Sequence, residues 1–215
     1  MAEEQKPAEA VETPAPSGPV SPILKRLVDG FGEKVLSTHE FRGDATAIVD
    51  RGALIDVCKL LRDDPELAFD FLMDVTAVDY IGRVPRFEVV YHFYSLGKNH
   101  RVRIKVPLEE GDPKLPSVVS LWPSADWLER ETWDMYGVRF EGHPNLKRIY
   151  LYEEFEGHPL RKDFPLTGHV ELRYDEEQKR CVYEPVKLTQ DFRNFDFLSP
   201  WEGMTTLPGD EKAGR

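Results

Sequence analysis

The chain has 215 residues, 40% of them hydrophobic and 31% charged, with 28 Lys and Arg against 39 Asp and Glu and a net charge of −11. That length suits one domain of ordinary size with extensions, and the acidic balance excludes a general nucleic-acid or anionic-membrane surface, which needs basic excess. No apolar run nears the roughly 18 residues of a membrane-spanning helix, so any membrane association is expected only through a partner.

Residues 1–20 are rich in Ala, Glu and Pro, with little apolar content beyond Val11 and Val20. Such a segment cannot bury enough surface to offset its ordering entropy, so a disordered acidic tail is expected. It has neither a signal-peptide core nor an Arg-rich transit pattern, which points to a cytoplasmic bacterial protein. Pro22 opens a helix whose apolar positions 23, 24, 27, 28 and 31 keep helical spacing, with Gly32 as the stop. Lys34–Phe41 and Ala45–Val49 read as short strands. Between them, Arg42-Gly43-Asp44 is hairpin-turn chemistry rather than an adhesion motif. Asp50 is placed to cap a second helix with a stripe of Leu54, Val57, Cys58, Leu60 and Leu61, ended by Asp63-Asp64-Pro65.

Most of Phe69–Tyr80 reads as a strand. Phe87–Ser95 alternates, and Val102, Ile104 and Val106 alternate with Arg101, Arg103 and Lys105, the signature of a half-buried strand. His92 and His100 lie on or beside these strands, where lone histidines are usually hydrogen-bonded rather than ligating. Val118–Trp122 is expected to be helical, then Ser124 to Tyr136, with Gly137 as a C-terminal cap. The fold class implied is α+β: an antiparallel or mixed sheet with helices on one face over residues 21–140, followed by a long irregular extension over 141–215. Strand order is not readable.

The Ser124–Tyr136 helix carries the chemistry-bearing residues. Asp126, Arg130 and Asp134 are successive i, i+4 neighbours, which sets Arg130 between two carboxylates, with Glu129 and Glu131 on adjacent faces. Trp127, Leu128, Thr132, Met135 and Tyr136 supply an apolar stripe. Three readings stand: a solvated face, paired carboxylates for acid–base catalysis, or an ionic network at an interface. Phe140-Glu141-Gly142-His143-Pro144 returns as Phe155-Glu156-Gly157-His158-Pro159. Each copy is a tight reversal presenting a Phe, a Glu and a His, and each is followed by a basic pair, Lys147-Arg148 and Arg161-Lys162. His143, His158 and His169 lack zinc-ligand spacing, and Cys58 and Cys181 read as free thiols. There is no phosphate loop, hydrolase elbow or iron–sulfur cysteine cluster. Beyond Leu166 the chain is hydrophilic but dotted with Tyr174, Tyr183, Phe192, Phe195, Phe197 and Trp201, a pattern expected of an extended arm whose aromatics anchor in another protein. A generic adaptor and a carboxylate–His hydrolase are the alternatives.

The run Glu129-Arg130-Glu131, Asp134, Met135-Tyr136, His143, Lys147 and Ile149 resembles the signature of the C subunit (30 kDa subunit) family of bacterial NADH:quinone oxidoreductase, respiratory complex I. Arg161-Lys162-Asp163-Phe164-Pro165 and the later Pro185-Val186 to Phe195-Asp196 are similar to the α-proteobacterial and mitochondrial branch. The resemblance covers roughly residues 20–203. It implies a structural subunit of the hydrophilic arm, peripheral on the cytoplasmic side of the inner membrane. Such a protein packs against the D subunit, which helps form the quinone site, and contacts the iron–sulfur subunits. The resemblance implies no catalytic residue, metal or cofactor in this chain, with FMN, iron–sulfur clusters and quinone held elsewhere in the complex. It also assigns Glu129, Arg130, Glu131, Asp134, Tyr136, Gly137, His143, Pro144, Lys147, Arg148, His158, Arg161 and Asp163 to an interdomain or intersubunit network.

Overall fold

A computed structural model describes residues 21–188 and 190. The tail over 1–20 and the aromatics Phe192, Phe195, Phe197 and Trp201 lie outside the described residues. Two compact units divide the chain between Leu166 and Thr167.

The first unit opens with α1 (Pro22–Phe31), which buries Ile23, Leu24 and Leu27 and has Pro at its N-terminal end. β1 (Val35–Phe41) and β2 (Asp44–Val49) form an antiparallel hairpin. Arg42 and Gly43 turn it with φ of 54° and 86°, the left-handed pair that matches hairpin twist. Asp50 then accepts from the Gly52 N–H at 2.7 Å to start a 3-10 turn that leads into α2 (Leu54–Asp63). β3 (Phe71–Asp79), β4 (Phe87–Ser95) and β5 (His100–Leu108) complete a five-stranded sheet of order β1-β2-β5-β4-β3. The β2–β5 pair is parallel and the others antiparallel, so the sheet is mixed. Strand residues in the core point to one side: Ala47, Ile104, Tyr91 and Val75 form one transverse row of it. The buried residues of α1 and α2 meet them there.

The expected helix at Val118–Trp122 is a hydrogen-bonded turn instead, closed by the N–H groups of Leu121 and Trp122 on the Val118 carbonyl. Six residues between Pro116 and Pro123 cannot propagate a helix. Two three-residue strands that sequence patterning misses, β6 (Lys114–Pro116) and β7 (Arg139–Glu141), pair in parallel on either side of α3 (Ala125–Tyr136). α3 lies along the outer edge of the sheet, against β3. Around it, Trp122 Nε1 donates to the Phe69 carbonyl, Ser124 Oγ to that of Leu72 and Thr132 Oγ1 to that of Val75. Carbonyls that an edge strand would leave open are thus satisfied by side chains.

Residues 141–166 belong to this first unit rather than to the extension expected from 141. The physical reason is the bonds they make to α3, from Arg148, the Ile149 N–H, His158 and Arg161 among others. The second unit contains one described hairpin, β8 (Val170–Asp175) with β9 (Arg180–Pro185). No helix of the described residues is long and apolar enough to cross a membrane.

Candidate functional site

The site is the C-terminal half of α3 and the segment that returns to it. Helix ends leave their last four carbonyls without intrahelical partners. At α3 each finds one. The Gly137 N–H closes on the Trp133 carbonyl at 2.8 Å and the Leu160 N–H on that of Met135 at 3.1 Å. His158 Nδ1 donates to the Asp134 carbonyl at 2.9 Å, and Arg161 Nε to that of Tyr136 at 2.6 Å. Arg161 also places its charge at the negative end of the helix dipole and over the Phe87 ring at 5.1 Å. Gly137 has φ 78°, and a Cβ there would lie 2.6 Å from His158 Nε2 and collide with the Arg161 guanidinium. Its glycine identity is therefore fixed twice over, by backbone conformation and by space.

Asp134, fully buried, accepts from Arg148 at 2.6 Å through one oxygen. Through the other it accepts from three consecutive backbone N–H groups, those of Ile149, Tyr150 and Leu151, at 3.1, 2.9 and 3.1 Å. Burial alone would raise its pKa. The Tyr150 N–H, Arg148 and the other two amides outweigh that and hold it below the ordinary value. Arg148 is itself fixed by the Phe155 carbonyl at 2.7 Å and lies against the rings of Trp133 and Phe155.

Arg130 does not bridge Asp126 and Asp134. It donates instead to the carbonyls of Lys147 and Arg148, both at 3.1 Å. The expected i, i+4 ladder fails because Asp134 turns inward to Arg148, whose bond is shorter and buried. Asp126 meets His143 instead: Nε2 of that ring lies 3.1 Å from the Asp126 carbonyl and 3.2 Å from its carboxylate. His143 Nδ1 accepts from the Asn145 N–H at 3.0 Å. The two His-Pro reversals, with φ of 80° at Gly142 and 98° at Gly157, thus engage the same helix eight residues apart, at Asp126 and Asp134. Burial, above all, pushes the His158 pKa down. Lys147 and Pro144 are exposed, and Lys147 contributes its carbonyl only.

Glu129 is 0% exposed. It accepts from Ser117 Oγ at 2.6 Å and from the Val118 N–H at 2.8 Å, which ties α3 to the turn after β6. Burial lifts its pKa to about 7, against the pull of those two bonds. Glu131 and Tyr136 are half-buried, and the Tyr136 pKa is raised by burial, then by Asp79 and Glu131. The apolar stripe expected on α3 is only partly the buried one. Trp127 is 67% exposed, while Glu129 and Asp134 are enclosed, because each has donors waiting.

A second network escaped sequence reasoning. Asp79, at the end of β3, holds Arg86 through two bonds of 2.8 Å in the interior. It also accepts from the Lys162 N–H at 2.8 Å. Arg86 reaches Asp163 at 3.0 Å and also binds Glu110. Asp79 is paired with Phe87 across the hairpin, so an Asp and an Arg seven residues apart around one turn was the available signal. Both networks anchor residues 148–163 to the sheet and to α3. Among the described residues no three His, Cys, Asp or Glu side chains are placed to hold a metal ion. Cys58 is buried, with its thiol pKa raised by burial, and Cys181 is exposed; both are free.

These residues fall within a family match. The model of the respiratory-chain NADH dehydrogenase 30 Kd subunit matches residues 47–170, a span that includes α3 and its capping segment. The NADH-quinone oxidoreductase C subunit of Hyphomonas neptunium is 56% identical over 195 residues, covering 90% of this chain and 96% of its own. That of Paramagnetospirillum magneticum is 57% identical over 188 residues, covering 87% and 94%. Among solved structures, a trypsin-resistant fragment (1-134) of Nqo5 is 32% identical with a TM-score of 0.50, covering 58% of this chain and 99% of the fragment. A chain of the membrane-bound sulfane sulfur reductase, an archaeal respiratory membrane complex, has a TM-score of 0.58 at 23% identity, covering 67% and 84%, a likeness of fold alone. With a matching family model over more than half its length and a relative 56% identical over 90% of it, the chain belongs to the 30 Kd subunit family of respiratory-chain NADH dehydrogenase.

Proposed function

We propose that the chain is a non-catalytic structural and assembly subunit in the hydrophilic arm of a proton-pumping NADH:quinone oxidoreductase. It packs against the D subunit, which helps form the quinone site, and contacts the iron–sulfur subunits. FMN, iron–sulfur clusters and quinone are bound by other subunits, and this chain shares in electron transfer by holding its neighbours in place. It is peripheral on the cytoplasmic side of the bacterial inner membrane and attached through the complex.

The observation that carries this reading is the use made of the charged signature. Asp134, Arg130, Arg148, His158 and Arg161 bind this chain's own backbone at the end of α3, which leaves them building a rigid scaffold rather than meeting a substrate. A carboxylate–His hydrolase would need reagents open to solvent, and the side chains of Asp134 and His143 are both 0% exposed. The deciding experiment replaces Arg130 with Ala in the native organism. The amount of assembled complex on native gels should fall, with turnover per assembled complex preserved. Unchanged assembly with a large loss of turnover would overturn the reading. Companions recovered with the chain from membranes should include flavin, iron–sulfur and quinone-binding subunits.

A further inference from the structure

One face of the five-stranded sheet carries the core and the helices. The other, among the described residues, is partly open: Thr46 and Val90 on it are buried, Arg103 and Lys105 are half-buried and Arg101 is exposed. Alternation along β5 sends Val102, Ile104 and Val106 into the core and Arg101, Arg103 and Lys105 to the open side, spaced about 7 Å apart. Cross-strand register sets Asp74, His92, Arg103, Thr46 and His39 in one transverse row over all five strands. The row and the column of cations cross at Arg103. Both imidazoles are held below their ordinary pKa, by burial first and then by the charges of Arg103 and Lys105.

Internal compensation of this column is incomplete. Lys105 is paired with Glu88 at 2.7 Å. Among the described residues Arg103 bonds to the Thr46 hydroxyl alone, at 3.4 Å. Asp44 and Asp74 also belong to this side. Even so, no carboxylate among the described residues comes within the 4.0 Å of an ion pair with Arg101 or Arg103. A cavity of about 150 Å³ opens between Asp44, Met73, His92, Arg101 and Arg103. On its β3 side the column is bordered by Phe71 and Met73, and on its β1 side by Phe41, all large apolar residues exposed by 45% or more. Guanidinium groups flanked by aromatic and Met side chains have the composition of a protein interface. In a chain of net charge −11, unpaired arginines on a formed sheet face call for carboxylates from outside.

We propose that this open sheet face is a docking surface for an Asp/Glu-rich segment of another protein of the complex, seated on Arg101 and Arg103 and flanked by Phe41, Phe71 and Met73. The inference rests on the chain being part of a larger complex and names a surface distinct from the capped C-terminal end of α3. A protein segment fits better than a lipid surface because Arg103 and Lys105 are recessed, with Lys105 only 20% exposed. Partner side chains can reach into such a row, whereas a plane of headgroups cannot.

The test uses the full chain in its native organism, with a photo-crosslinking amino acid in place of Ser37 or of Met73, on the two sides of the column. Native gels first establish whether the chain migrates with a large membrane complex. Crosslinks from both positions to a carboxylate-rich segment of a different protein are expected. Co-migration without crosslinks would overturn the proposal and leave the complex-subunit reading standing. So would crosslinks to lipid, to a second copy of this chain or to a segment without acids. A chain that never enters a complex overturns both. The double substitution Arg101→Glu with Arg103→Glu should lower assembled complex about tenfold while the purified chain keeps its thermal transition. An unchanged complex level would count against the surface.

Discussion

Replacing Asp134 with Asn is the most direct test of how the segment 141–166 is held. The substitution keeps shape and one acceptor oxygen. If that oxygen continues to receive the amides of Ile149, Tyr150 and Leu151, the new amide nitrogen faces the Arg148 guanidinium, which at 12% side-chain exposure has lost its counter-ion. Breaking one side of a buried pair costs about 3–5 kcal/mol, because the surviving charge stays desolvated. Urea denaturation of the full chain, followed by near-ultraviolet circular dichroism at pH 7.5, should show a loss of that size. The pH dependence supplies a second check. The Asp134 pKa is lowered in the folded state, so its contribution is present above the unfolded carboxylate value near 4 and fades as pH falls through the folded one. The gap between wild type and variant should therefore narrow in acid. A loss under about 1 kcal/mol, or a gap that widens in acid, would refute the buried-pair reasoning.

Glu129→Gln should behave in the opposite sense. Its carboxyl is raised from 4.5 to about 7, so the folded chain binds a proton that the unfolded chain releases. That stabilisation is full below about pH 4.5 and is lost as pH rises to about 7, an effect of about 3 kcal/mol. The Gln variant, able to keep its contacts with Ser117 and Val118, should lack the loss; equal pH profiles would disprove the assignment. Gly137→Ala combines a left-handed backbone with a collision at His158 and Arg161 and should cost about 2–5 kcal/mol in the same denaturation assay. Truncation after Leu166 should leave a cooperatively folded unit by thermal circular dichroism, whereas truncation after Phe140 should not.

Much of the scaffold was legible in the sequence because it obeys local rules. The period of Val102, Ile104 and Val106 placed β5, Arg42-Gly43 marked a hairpin, and Gly137 marked the end of α3. What was not legible depended on distant partners. Spacing on α3 suggested that Arg130 would sit between Asp126 and Asp134, yet the donors to Asp134 come from 14 to 17 residues later. An i, i+4 pair is worth only about 0.2–0.5 kcal/mol, too little to compete with a guanidinium and three amides in the interior. Asp79 reads like one polar residue in an apolar strand, and only the fold brings Arg86 and the Lys162 amide to it. Burial of Glu129 was hidden for the same reason: its donors, Ser117 and Val118, lie in a turn whose residues look helical.

The way α3 is capped also bears on the order of events during synthesis. Its terminal carbonyls and the Asp134 carboxylate wait for groups made as many as 25 residues later. A nascent chain that has just exposed the helix at the ribosome therefore presents a buried-type carboxylate and an unfinished helix end to water. The sheet can form earlier, but its outer edge is closed by α3, so the fold is completed in a late step when Arg148 and the His158–Arg161 turn emerge. Until then the exposed β3 edge is the point at which a partially made chain is open to capture by a chaperone or by another strand.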